Sequence, residues 1–175
     1  MMLSLNTPYE EPGYIAFDDV DGLITDKVWF DTDLDVNRSE KYRILYNVKD
    51  AAGNWAVSVI RTIIVQNDAK PLVKTYQGQY SSENSESGSY EMTLRVSPTE
   101  NNKVFFSSFG NAPTSERVDV VGHVVGDSIL VDLQYIEGVW YAGTGMISED
   151  KINFESQTGT DQLQLLTSQV EYVPI

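Results

Sequence analysis

Tyr42, Ile44, Tyr46 and Val48 alternate with Arg43, Leu45, Asn47 and Lys49. A period of two belongs to an extended strand that buries one face and leaves the other to solvent. Asp50-Ala51-Ala52-Gly53-Asn54 follows as a turn, and residues 55–65 return as the hairpin partner, β-branched through their second half. Trp55, next to the turn, is expected to lie as a hydrophobic lid on the edge of this unit. Polar Gln66-Asn67-Asp68-Ala69-Lys70-Pro71 then ends the run, which places a domain boundary near Asp68.

Beyond that boundary the serine-rich stretch from Ser81 to Ser89 is too polar to bury and reads as a mobile loop. Alternating runs at 90–96, 103–109, 118–125, 128–133, 139–147, 151–154 and 163–170 are separated by turn residues. Seven or eight short strands in succession predict an antiparallel meander, closed into a barrel or folded into a sandwich. Val125-Gly126-Asp127-Ser128 is the clearest two-residue hairpin, with Gly-Asp supplying positive φ angles. Gly143 and Gly145 are expected to let their strand curve. No stretch carries a convincing helical period, so the fold class is all-β, with domains at 1–67 and 68–175.

Twenty-six acidic against twelve basic residues give a net charge of -14. That field repels nucleic-acid phosphates and anionic headgroups, which excludes nucleic acid as a partner. Without cysteine, thiolate metal sites, thiol nucleophiles and disulfides are closed. No window approaches the roughly 18 apolar residues of a membrane helix, and the first residues lack the basic start and apolar run of an export signal.

Two segments carry a family likeness. Glu11-Pro12-Gly13-Tyr14-Ile15-Ala16-Phe17-Asp18-Asp19-Val20-Asp21-Gly22-Leu23-Ile24-Thr25 and the hairpin from Tyr42 to Asn54 resemble the immunoglobulin-like modules repeated on bacterial surface proteins, as in envelope lipoproteins of Bacteroidetes. Their signature is PG-x-x-A-x-D-x-x-DG-x-IT followed by Y-x-V-x-Y-x-V-x-D-x-x-GN. Leu23 stands where a further Asp is usual, and Glu40 where a glycine is common. The likeness covers about residues 4 to 66 and implies a small β-sandwich, here without its first strand. The remainder is similar to the lipocalin-like meander domains of envelope lipoproteins, through Gly78-Gln79-Tyr80 and Gly143-Thr144-Gly145-Met146-Ile147-Ser148. Both likenesses imply a place in the cell envelope, at the surface or in the periplasm. The export signal would be absent from this chain, and membrane contact would run through a removed N-terminal lipid anchor.

Asp18, Asp19, Asp21, Asp26, Asp31, Asp33 and Asp35 crowd one stretch with only Lys27 opposing them. Oxygen-rich loops suit calcium, and Asp18, Asp19, Asp21 and Asp50 form the candidate ligand set. The competing reading is that short Asp side chains bond nearby backbone amides in turns. His123 is the single histidine and sits in a strand with no nucleophile-elbow pattern near it. Neither a phosphate loop nor a dinucleotide fingerprint is present.

Tyr135, Trp140 and Tyr141 bracket the turn at Ile136-Glu137-Gly138. Aromatic faces beside polar groups suit stacking on sugar rings, so these three are the candidate ligand-binding residues. Trp140 and Tyr141 are adjacent and must leave opposite faces of a strand. The expected function is therefore that of a non-catalytic envelope accessory, with glycan capture as its concrete form and a glycan or surface protein as partner. The alternative is a structural spacer or protein-interaction module. More distant is a glycoside hydrolase using carboxylates of the second domain.

Overall fold

The computed structural model describes residues 1–110, 119–149 and 151–175. Val118, the first residue of one expected run, lies outside the described residues. The chain is all-β and divides into two compact units, Met1–Gln66 with Pro98–Asn101, and Asn67–Ser97 with Asn102–Ile175.

The first unit contains β1 (Met2–Ser4), β2 (Phe17–Asp18), β3 (Gly22–Leu23), β4 (Trp29–Thr32), β5 (Lys41–Asn47) and β6 (Val59–Gln66). A sheet of order β1-β6-β5-β4 is accompanied by the β2-β3 hairpin. The alternation read in β5 is real: Tyr42, Ile44 and Tyr46 are buried and join Leu3, Leu5, Ile63 and Val65 in one core. A short strand that the sequence did not announce, β1, runs parallel to β6 and pairs Met2 with Ile64. Only Leu3 of its three residues is buried, too little alternation to read from sequence. Pro98–Asn101 belong to this unit through Ser39 N–H, which donates to the Pro98 carbonyl at 2.8 Å, and Asn101 N–H, which donates to Asn6 Oδ1 at 2.8 Å.

The second unit holds β7 (Thr75–Ser82), β8 (Ser87–Val96), β9 (Lys103–Phe106), β10 (Val120–Val125), β11 (Ser128–Ile136), β12 (Val139–Ile147), β13 (Ile152–Gly159) and β14 (Leu166–Pro174). Among the described residues these close into an antiparallel barrel in which each strand pairs with the next and β14 returns to β7. Closure removes free sheet edges. The barrel's middle is filled by rings: Phe106 lies 5.3 Å from Phe109 and 5.7 Å from Phe154, centroid to centroid. Deeper polar contacts are paired, as with Tyr90 and Tyr172, whose hydroxyls meet at 2.6 Å. Burial pushes both phenols above the usual tyrosine range.

Two expectations change here. The serine-rich stretch is a hairpin, since β7 and β8 pair Ser81 with Ser87 and Tyr80 with Gly88. Polar side chains can face solvent while the backbone ladder holds the strands, so low hydrophobicity did not imply a loop. At the Gly126-Asp127 turn only Gly126 has a positive φ, 59°, the requirement of a II′ rather than a I′ turn. Between Val131 and Gln134 the β11–β12 register shifts in a bulge. The Gln134 amide donates to the Val121 carbonyl at 2.8 Å and accepts from Val121 N–H at 3.0 Å, replacing a rung of the ladder.

Candidate functional site

The β11–β12 turn places Glu137 and Gly138 at φ 49° and 89°, the pair of positive values a I′ turn needs. Across it Tyr135 pairs with Trp140. Their rings are in tilted contact, with centroids 5.0 Å apart and an interplanar angle of 43°. Tyr135 is 58% exposed and Trp140 half-buried, so the pair forms a small aromatic platform on the barrel's outer surface.

Tyr141 does not join it. Its side chain leaves the opposite face of β12 and is 1% exposed in the core, 6.4 Å from Phe109. Burial, with a smaller push from Glu137, raises its phenol above the ordinary range. Of the three candidate ligand-binding residues the structure thus brings two together and assigns the third to packing.

The acid set is spread over turn duties. Asp18 Oδ1 accepts from Val20 and Asp21 N–H, both at 2.9 Å, and Asp21 Oδ2 accepts from Ala51 N–H at 2.5 Å. Asp50 accepts from Asn54 N–H at 2.7 Å and from its side-chain amide at 2.6 Å, bonds that hold the Asp50 carboxyl below its usual range. Asp19 is exposed. Among the described residues no three Asp, Glu, His or Cys side chains converge as a metal-binding group. Millimolar calcium should leave the melting temperature unchanged, read by calorimetry with and without chelator. Asp21→Ala should instead cost about 1 kcal/mol in either buffer, the worth of its bond to Ala51.

The carboxylates on β13 and β14 and the histidine on β10 are surface groups. Glu155 and Glu171 are exposed, Glu155 accepting from Gln169 Nε2 at 3.1 Å and Glu171 from Lys151 Nζ at 3.0 Å. His123 is exposed on β10, opposite Leu130 and Lys103.

A feature missed in the sequence lies around Arg61. Its guanidinium donates to Glu11, to Tyr46 Oη at 2.9 Å, to Tyr9 Oη at 3.2 Å and to the Gly13 carbonyl at 2.9 Å. Gly13 holds φ at 101° and donates its N–H to Glu11 Oε1 at 2.9 Å. The Glu-Pro-Gly motif is therefore a clamp on β6, made across fifty residues of chain. Burial pushes the Glu11 carboxyl up, but bonds from Tyr46, Arg61, Tyr9 and Gly13 outweigh it and hold it at about 2, below a reference of 4.5. Because the folded value is the lower one, this stability is complete above about pH 4.5 and is lost as pH falls through 2. With the ion pair about a quarter exposed, screening leaves about 1–2 kcal/mol. Glu11→Gln should remove that amount at pH 7 and flatten stability between pH 5 and 2, measured by urea melts.

Beside the clamp, Tyr14, Phe17, Val28, Tyr46, Val57 and Val59 line an open cleft of about 450 Å³. Ile15, Phe17 and Val57 are among its exposed apolar residues, at 84%, 74% and 92%. Its size falls in the range of small-ligand sites. The cleft draws on four separate segments, and no single one shows an alternation that would reveal it.

Residues 1–65 match the family model described as a bacterial surface protein, Ig-like domain. The Glu-Pro-Gly clamp and strands β1 to β5 lie within the matched span. No protein of curated function matches the chain. Among solved structures, a lipoprotein from Bacteroides thetaiotaomicron is similar at 18% identity and a TM-score of 0.40, covering 97% of this chain and 93% of that one. A protein of unknown function from Nostoc punctiforme, of the DUF3598 family, is similar at 11% identity and a TM-score of 0.38, covering 85% of this chain and 66% of that one. The CBM51-2 and INT domains of ZmpB from Clostridium perfringens, solved in complex with GlcNAc, are similar at 12% identity and a TM-score of 0.34. That match covers 98% of this chain and 41% of the other.

Proposed function

We propose that the protein is a non-catalytic binding accessory of a bacterial cell surface that captures glycans on the Tyr135–Trp140 platform. The observation that carries the surface role is the match of residues 1–65 to a surface Ig-like family. Support for glycan capture comes from the platform itself, two rings in tilted contact at a I′ turn, with Tyr135 largely open to solvent, an arrangement suited to a sugar ring and its hydroxyls. A shallow platform implies weak affinity, about -4 to -6 kcal/mol, or high micromolar to millimolar dissociation constants. Isothermal titration against plant and host oligosaccharides tests this: wild type binds, and Tyr135→Ala and Trp140→Ala do not. Absence of binding by the wild type overturns glycan capture. The second reading, a protein-interaction module, is favoured by the apolar cleft beside Tyr14 and Val57.

A further inference from the structure

β5 sends Tyr42, Ile44 and Tyr46 into the core and Lys41, Arg43 and Leu45 to the opposite face of the sheet. On that outer face Ile60 sits beside Leu45 and Ile64 beside Lys41, while Trp29 of β4 sits beside Asn47. Lys49 continues the row past the strand's end and bridges Trp55. The apolar members are open to solvent: Ile60 is 54% exposed, Trp29 49% and Trp55 56%.

The cations on this face lack acidic partners. Among the described residues, Lys41, Arg43 and Lys49 have no carboxylate within ion-pair distance. Asp31 is the one acid that the ladder of β1, β6, β5 and β4 presents on the same side. In a chain with twelve basic and twenty-six acidic residues, this is a local reversal of the protein's field. Lys49 Nζ lies 4.1 Å from the Trp55 ring centroid, and Trp29 and Trp55 meet edge to face at 6.1 Å and 72°.

We propose that this outer face binds a linear anionic polysaccharide, with carboxylate or sulfate groups on Lys41, Arg43 and Lys49 and sugar rings against Trp29 and Trp55. Lys41 and Lys49 are about 25 Å apart along an extended strand, a span that suits a charged polymer and exceeds any single small anion. The indole surface that Trp29 and Trp55 leave open, each about half exposed, takes the C–H faces of sugar rings while the cations fix the acid groups. A membrane is a plane and would press on exposed Asp31 as well as on the cations, whereas a chain one sugar wide can follow the cationic stripe alone. A second copy docked face to face would set cations against cations. The site is on the first unit and is independent of the Tyr135–Trp140 reading, so each can fail without the other.

Affinity electrophoresis of the full chain through polygalacturonate or heparin tests the proposal, with dextran as the neutral polymer. At least one acidic polymer should retard the protein, dextran should not, and retardation should fall as salt rises. K41Q/R43Q should weaken binding about tenfold, and Trp55→Ala should weaken it at low and high salt alike. Lys74→Gln, which removes the same charge from the barrel, should change nothing. Melting curves establish that the variants are folded. No retardation by either acidic polymer, an unaffected K41Q/R43Q, or stronger capture by polyglutamate or by phosphatidylglycerol vesicles overturns it.

Discussion

Phe154→Ala is expected to lower the barrel's unfolding free energy by about 3–5 kcal/mol, the usual cost of emptying a large ring from a core. The ring is 1% exposed and meets Phe109 at 5.0 Å and 84° and Phe106 at 5.7 Å and 77°. These edge-to-face contacts add to its burial. Its seat depends on the backbone opposite. Phe154 pairs directly with Gly145, and a Cβ at Gly145 would overlap the Phe154 ring, while one at Gly143 would come 2.8 Å from the same ring and 2.5 Å from the Glu155 carbonyl. Gly145→Ala should therefore cost about 2–3 kcal/mol by overpacking. In a Phe154→Ala background that penalty should disappear, because the atom it strikes is gone. Urea denaturation of the two single variants and the double variant closes the cycle. Additive losses would mean that the glycines act through strand curvature instead.

Tyr141→Ala and Trp140→Ala should part company by several kcal/mol although the residues are adjacent. Tyr141 fills the core beside Phe109, and its truncation should cost about 3–5 kcal/mol. Trp140 packs on Tyr135 at the surface, so its loss should cost about 1 kcal/mol or less. If the platform captures glycans, binding follows the opposite order: Trp140→Ala abolishes it, and a folded Tyr141→Phe retains it. Thermal melts paired with titration read both quantities. Equal stability losses would place both rings in similar surroundings, contrary to their burial.

What was legible before the structure was whatever repeats at short range. The alternation from Tyr42 to Val48 identified the strand and its division into two faces, and Asp50 to Asn54 identified a turn that the structure closes with an Asp50–Asn54 bond. The adjacency of Trp140 and Tyr141 required opposite faces, although not which ring turned inward. The serine-rich hairpin was misread because polarity reports burial, whereas strand pairing there is made by backbone groups and outward-facing side chains. Glycines 143 and 145 read as points of curvature; the observed reason is a ring on the next strand, which no local pattern encodes. Trp55 was expected at the unit's edge, but its partners Trp29 and Lys49 depend on a three-strand register.

The sequence by itself determined an all-β chain and the two-faced alternation of its strands, because side-chain period and turn chemistry act within a few residues. It also determined the absence of thiol chemistry and an acidic overall field, which are matters of composition. Only the tertiary structure decided that the meander closes, since β14 meets β7 across about ninety residues and closure depends on the accumulated twist and register of the strands between them. The same holds for Arg61 on Glu11, for Phe154 over Gly145, and for three cations gathered on one face of an acidic protein. Each is set by which strands become neighbours, and that choice is made by burying the whole core at once.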